Sequence, residues 1–283
     1  MYVRTIDYRS AQAGQEFCLS LKETGFAVLS HHPIPQPLIE NVYQDWDVFF
    51  KSEEKFNTLF DRKAIRQSGY FPFKSENAKG YSAKDLKEFY HYYDEQHLPK
   101  GMARNTPLLL DALKTLAHEV LEWIEAGLPE DIREGLSMPL NEMIKDSDMS
   151  LIRILHYPPI SQDEEAGAVR AAAHEDIDLL TVLPAATTTG LQVKDTKGNW
   201  HDVSCDYRTL AFNAGDMLQM ATKGYYKSTS HQVVNPVGEA AHESRYSLPL
   251  FLHPRNEVRL SDEHTAESYL AERLRELGLQ KSA

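Results

Sequence analysis

Leu38, Val42, Trp46 and Phe49 recur four, four and three residues apart, with Ile39, Tyr43 and Phe50 beside them. That is the spacing of one face of an α-helix. Pro35 and Pro37 lie where such a helix would begin, and a first-turn proline loses no hydrogen bond there. Leu109, Leu113, Leu116, Val120 and Trp123 draw a second stripe behind Thr106-Pro107. This pair offers an N-cap and a first-turn proline. Both stripes read as core faces without chemistry of their own. A last helix is expected over Thr265–Leu277, with Ala266, Leu270, Leu274 and Leu277 on one side and Gly278 as its stop. Between the first two helices, residues 69–74 and 80–93 are rich in aromatics. They read either as a solvated hairpin or as the wall of a pocket.

The period changes at Ser150. Leu151, Arg153, Leu155 and Tyr157 alternate with Ile152, Ile154 and His156, which is strand spacing. Short strand-like runs follow at Leu179–Leu183, Leu191–Lys194, Trp200–Val203, Leu210–Asn213, Met217–Met220, His231–Val234 and Arg245–Phe251. Turn signals separate them, at Asp195–Gly198, Asn213–Asp216 and Asn235–Gly238. Short strands without helical patterns between them predict a sandwich or jelly roll rather than a doubly wound sheet.

Composition narrows the function without naming it. A hydrophobic fraction of 42% over 283 residues suffices for an ordinary core. The formal charge of −12 disfavours nucleic acid as a partner, because that binding depends on Lys and Arg. Cys18 and Cys205 stand far apart in no metal-ligand spacing and read as small core residues. The start, Met1-Tyr-Val-Arg-Thr-Ile-Asp, has no basic region followed by an apolar run, and no stretch reaches a membrane-spanning length. A cytoplasmic protein with no membrane partner is therefore expected.

His174-Glu175-Asp176 is the one H-x-D in the chain. Residues i and i+2 point the same way only on an extended segment, so the pair can chelate one ion only if this stretch is extended, with Glu175 facing away. His231 opens an apolar strand 55 residues later (231 − 176). Two imidazoles and one carboxylate on one side of a metal leave its other side free, the ligand set of non-haem Fe(II) oxygen chemistry. A closed zinc site has no such free positions. On spacing alone, three unrelated polar residues at strand ends are an equal alternative.

Arg245-Tyr246-Ser247 repeats the i, i+2 spacing, so Arg245 and Ser247 share a strand face. A guanidinium fork matches a carboxylate, and a nearby hydroxyl adds a further donor. At the rim of a barrel the pair would bind the far carboxylate of an oxoacid whose other end chelates iron. Tyr157 could add a phenol donor, and Arg153, on the same strand face, could serve the same pocket.

Taken in order, these residues resemble the isopenicillin N synthase-like family of Fe(II)/2-oxoglutarate oxygenases. Residues 25–34 are similar to the family's N-terminal strand and following loop, and residues 49–55 to the end of its long helix. His156-Tyr-Pro-Pro159, Gly190–Val193, Trp200, Asn213–Asp216, Gln219, Tyr226–Ser228, His231-Gln-Val and Arg245–Ser247 follow in the family's order. The resemblance implies a mainly β core with flanking α-helices. That core would be a double-stranded β-helix (jelly roll, cupin-like) with a helical N-terminal region. It divides the chain into 1–145, a jelly-roll core at 146–257 and a C-terminal helix at 258–283. It implies Fe(II), 2-oxoglutarate and O2 as cofactors, His174, Asp176 and His231 as catalytic metal ligands, and Arg245 and Ser247 on the C5 carboxylate near Tyr157.

Two departures stand out. Lys223 occupies a position where many relatives have Asn, and the interval from His231 to Arg245 (245 − 231 = 14) is long, which predicts an extended loop. Asp176 occupies the carboxylate position that related halogenating enzymes leave to a small residue, so oxygen insertion or desaturation is expected. The expected activity is hydroxylation or desaturation of an unactivated C–H bond with release of succinate and CO2. The default substrate is a small molecule, such as an amino acid, peptide or secondary metabolite. Leu191, Val193 and Phe251 are candidate apolar walls, and Arg66, Tyr81 and Phe89 candidate substrate-facing residues. Two rivals are an iron oxidase of the same fold that uses no 2-oxoglutarate, and a silent jelly roll that binds a metal or small ligand.

Overall fold

The computed structural model describes residues 2–61, 66–76, 83–93, 98–161, 164, 168–204 and 206–276. The chain begins with β1 (Thr5–Asp7), α1 (Ala13–Thr24), β2 (Phe26–Ser30) and α2 (Gln36–Lys51), then β3 (Gly69–Phe71), β4 (Glu88–Tyr93) and α3 (Asn105–Ala126). Two short helices, α4 (Glu130–Arg133) and α5 (Leu140–Ile144), lead into β5 (Leu151–Tyr157), β6 (Ala171–His174), β7 (Leu180–Pro184), β8 (Leu191–Lys194), β9 (Trp200–Asp202) and β10 (Thr209–Ala214). The chain closes with α6 (Asp216–Ala221), β11 (His231–Val233), β12 (Arg245–Ser247), β13 (Leu250–Leu252) and α7 (Ala266–Glu276).

Among the described residues the strands form two sheets. The larger has nine strands, ordered β1-β2-β10-β7-β13-β5-β4-β3, with β12 also paired to β5. The smaller has four, ordered β6-β11-β8-β9. Every pairing is antiparallel except β1 with β2.

The strand alternation explains why the larger sheet is buried on both faces. Ala27 and Leu29 of β2, Ile152 and Ile154 of β5, and Leu210 and Phe212 of β10 pack with the helices in one core. Their neighbours Phe26, Val28, Leu155, Tyr157 and Ala211 pack in a second core with Ala171, Val193 and Val233 of the smaller sheet. A period of two thus sends alternate residues outward to the helices and inward to the roll. On the helix side, Trp46 of α2 is fully buried, meets Phe49 edge-on and Tyr90 at a tilt, and donates its indole N–H to the Thr106 hydroxyl at 3.0 Å. An aromatic of this size contributes on the order of 1.5–3 kcal/mol through burial alone.

The β-rich roll with flanking helices follows the expected architecture, and the described parts of the aromatic stretch, 69–74 and 83–93, form a wall. Tyr70, Phe71, Phe89 and Tyr90 are all buried there, and β4 pairs with β5 along its whole length. Three local expectations change. Met217–Met220 is part of the helix α6, not a strand, because a short run of Met, Leu, Gln and Met suits a helix opened by Asp216 equally well. The run from Arg245 to Phe251 is two strands, since Pro249 has no N–H for the ladder and its carbonyl accepts from the Arg153 N–H at 2.9 Å. Thr106 lies inside α3, which starts at Asn105, so its hydroxyl serves Trp46 rather than a cap. Lys223 has φ of +50°, left-handed backbone that Asn adopts more readily than Lys. The long interval before Arg245 contains a 3-10 turn over Gly238–His242. Tyr81, Cys205, Leu277 and Gly278 lie outside the described residues.

Candidate metal and oxoacid site

β11 lies against β6 with His231 directly opposite His174. Opposed residues of an antiparallel pair project to the same face, so two imidazoles 57 residues apart (231 − 174) converge. The backbone leaves β6 extended, and Asp176 follows on the same side. Asp176 Oδ1 is 3.8 Å from His174 Nε2 and 3.7 Å from His231 Nε2. The three ligand atoms lie within 4.8 Å of one another, the one such group of His, Cys, Asp or Glu among the described residues. Glu175 points outward and is exposed, as its parity requires.

Each ligand is oriented by a second bond. His174 Nδ1 donates to the Ala172 carbonyl at 2.8 Å, and His231 Nδ1 to the Thr229 carbonyl at 3.1 Å. A carbonyl only accepts, so each Nδ1 carries the proton and each Nε2 presents a lone pair. Phe26 meets the His231 ring edge-on at 5.5 Å. Asp176 Oδ2 accepts from Thr181 Oγ1 at 2.6 Å and Asn213 Nδ2 at 2.8 Å, leaving Oδ1 to face the imidazoles.

The electrostatics suit a cation. Burial, then the neighbouring His231, pushes the half-buried His174 down to about 4, against the pull of Asp176. Burial alone would raise Asp176, but His231, His174 and the two hydrogen bonds hold it below its ordinary value. Asp178 is pushed well above the usual carboxylate range by burial and then by Asp176. Its Oδ2 lies 3.0 Å from Thr181 Oγ1. One hydroxyl proton cannot serve two carboxylates, so a protonated Asp178 can donate to Thr181 while Thr181 donates to Asp176.

Two nitrogens and one oxygen, with no fourth protein ligand among the described residues, fit a divalent transition metal that keeps positions for exogenous ligands.

A second group, the candidate oxoacid end, is built by β12 against β5. Arg245 is opposite Tyr157, and Ser247 opposite Leu155. Arg245 is 2% exposed, with its guanidinium carbon 5.1 Å from the Tyr157 ring centre. Its Nε donates to the Thr188 carbonyl at 3.1 Å, while buried Nη1 has no partner. Ser247 is buried beside it. An orphaned buried guanidinium nitrogen fits an anionic ligand. Tyr246 points the other way, donating to Asp47 of α2 at 2.6 Å.

Arg153 is engaged elsewhere. Its Nε donates to His91 Nε2 at 2.8 Å, Nη1 is 3.4 Å from Glu76, and its guanidinium lies over Phe89 and Phe251. It therefore belongs to the β4 wall rather than to the Tyr157–Arg245 end. Phe60, Phe71 and Phe89 stack in sequence there, with ring centres 3.7 and 4.4 Å apart. Leu191 and Val193 line the inner core, whereas Arg66 pairs with Asp148 at the surface.

Lys87 was not legible as a site residue. It is buried, pairs with Asp85 and Glu76 at 2.9 Å each, and acts electrostatically on His174. Asp85 also accepts the Ala172 N–H at 3.1 Å and so fixes the strand that carries His174. Arg170, four residues before His174, is a single arginine set in the apolar run Val169–Ala173.

Comparison with known proteins agrees with this geometry. Residues 149–254 match the 2OG-Fe(II) oxygenase superfamily, and residues 5–109 match the family described as non-haem dioxygenase in morphine synthesis N-terminal. A candidate oxygenase of Shewanella oneidensis of known crystal structure is 50% identical, with a TM-score of 0.89 over 99% of this chain and 100% of that one. The 2-oxoglutarate-dependent dioxygenase gloF of Glarea lozoyensis is 28% identical, over 91% of this chain and 89% of its own. Gibberellin 2-beta-dioxygenase 4 of Arabidopsis thaliana is 27% identical, over 88% and 78%.

Proposed function

The chain belongs to the 2OG-Fe(II) oxygenase superfamily, and from that premise we propose that His174, Asp176 and His231 hold its iron and that Arg245 and Ser247 hold 2-oxoglutarate. The protein is an iron- and 2-oxoglutarate-dependent oxygenase. The observation that carries the residue assignment is the pairing of a converged His-Asp-His group with a buried arginine whose Nη1 has no partner.

When bound, iron and 2-oxoglutarate supply the oxidising chemistry with dioxygen, one oxygen atom leaving in succinate and the other available to a C–H bond. The chain supplies placement. The Ala172 and Thr229 carbonyls aim the two imidazoles, and Thr181 and Asn213 hold Asp176 so that one oxygen faces the metal. Arg245 and Ser247 set the distance of the oxoacid's far carboxylate, and Phe26, Leu191 and Val193 exclude water from the interior.

The substrate we propose is a polar small molecule undergoing hydroxylation or desaturation. Support comes from the wall of Arg153, Glu76 and His91 beside Phe89 and Phe251, and from relatives named for gibberellins and other small molecules. The match over residues 5–109 supports placement in the isopenicillin N synthase-like branch.

Anaerobic titration with Fe(II), with and without 2-oxoglutarate, tests the site. A weak visible charge-transfer band should form only with both, and should vanish in His174→Ala and Arg245→Ala. Iron binding without a band would favour an oxidase that needs no keto acid. No iron binding would overturn the ligand assignment.

A further inference from the structure

Arg170 and Arg245 are the two most deeply buried arginines described, at 1% and 2% exposure. Both sit beside one ring: their guanidinium carbons are 5.9 Å and 5.1 Å from the centre of Tyr157. Neither has an acidic partner among the described residues. Arg170 donates from Nη2 to the Glu243 carbonyl at 3.0 Å, and Arg245 from Nε to the Thr188 carbonyl at 3.1 Å. Each then keeps a fully buried nitrogen with nothing to donate to, Nε of Arg170 and Nη1 of Arg245. Two like charges in the interior repel each other, and each forfeits its hydration. Burial and then Arg245 push Arg170 down to about 10, which still leaves it charged at neutral pH.

The backbone holds this arrangement in place. Asn235 Oδ1 accepts the Arg170 N–H at 2.9 Å, and Asn235 Nδ2 donates to the Ala168 carbonyl at 2.8 Å. Glu243, whose carbonyl takes Arg170, stands two residues before Arg245. One segment, 235–245, therefore positions both guanidiniums.

We propose that Arg170 is a second guanidinium of the oxoacid site, sharing with Arg245 the distal carboxylate of 2-oxoglutarate. This rests on the assignment of Arg245 to that carboxylate. A carboxylate offers about four lone-pair positions, enough for both arginines and the Ser247 hydroxyl. Its charge offsets the repulsion between the arginines and gives their orphaned donors an acceptor. The proposed consequence is selectivity: a keto acid without a second carboxylate leaves both cations unpaired.

The test compares 2-oxoglutarate with 2-oxobutyrate, which has the same chelating end and no distal carboxylate. Dissociation constants are measured anaerobically on the Fe(II) protein for wild type, Arg170→Gln and Arg170→Lys. Thermal protection of the metal-free protein by glutarate is a readout independent of iron. Arg170→Gln should weaken 2-oxoglutarate by about 10- to 100-fold, as for loss of a charge-assisted bond, and leave 2-oxobutyrate unchanged. Glutarate protection should fall with it, and Arg170→Lys should recover part of both. An undiminished preference for 2-oxoglutarate in Arg170→Gln would overturn the proposal, as would equal weakening of both keto acids, which marks a structural role. If Arg170→Gln does not fold, Arg170→Lys decides by the same comparison. A wild type that binds neither keto acid would instead overturn the oxoacid site itself.

Discussion

His231 sits directly opposite His174 across the β11–β6 pairing, with ring centres 4.4 Å apart. A β-ladder thus joins two imidazoles distant in sequence, and the geometry of the proposed metal site depends on strand register. A one-residue slip would send one imidazole to the other face.

The bonds behind Asp176 should matter to the metal. Thr181→Val removes the 2.6 Å bond to Oδ2 together with the 3.0 Å contact to Asp178. Metal affinity should fall by about 10- to 100-fold, measured by competition with a chelator. Unchanged affinity would mean that Asn213 alone suffices to orient the carboxylate.

Gly215 should tolerate no side chain. Its backbone has negative φ, so strain is not the issue. A Cβ there would lie 2.1 Å from the Asp178 carbonyl oxygen and 2.2 Å from its Oδ1. Gly215→Ala must displace the segment carrying Asp176, at a cost of about 1–3 kcal/mol. Metal affinity and urea stability should therefore drop together.

Glu88 lies on β4, directly opposite His156 of β5. Its carboxylate, 5% exposed, meets Lys55 at 3.0 Å and His156 at 2.7 Å, and accepts the Tyr70 hydroxyl. Glu88→Ala strands a largely buried lysine and should cost about 3–5 kcal/mol by urea denaturation. Glu88→Gln keeps part of the network and should cost less.

Acid should destabilise the metal-free protein partly through His253. Burial pushes this imidazole from 6.5 down to about 4, against the pull of Asp176. Between those values the unfolded chain takes up a proton that the folded one refuses, so stability is complete above 6.5 and falls as pH drops toward 4. The carboxylates of Glu76 and Glu88, held below their ordinary values against burial by Lys87 and by His156 respectively, lose stability in the same direction at lower pH. His253→Phe should flatten the change in urea midpoint between about pH 6.5 and pH 5, the window of the histidine shift. An unaltered slope would assign the acid sensitivity to the other imidazoles that burial pushes down, His174 and His91, and to the carboxylates.

The sequence by itself determined what local periodicity and residue chemistry can encode. The alternation in Leu151–Tyr157 is the two-sided burial of β5. The i, i+2 spacings put His174 with Asp176, and Arg245 with Ser247, on shared faces. Periodicity was silent where a short apolar run suits either helix or strand, as at Met217–Met220. Tertiary structure alone decided the partners across strands. Register joined His231 to His174 and Arg245 to Tyr157, and it turned Arg153 toward His91 and Glu76. It also brought Lys87 and Arg170 into the interior. An isolated basic residue in sequence says nothing about burial, because the cost or use of its charge is set by what packs around it.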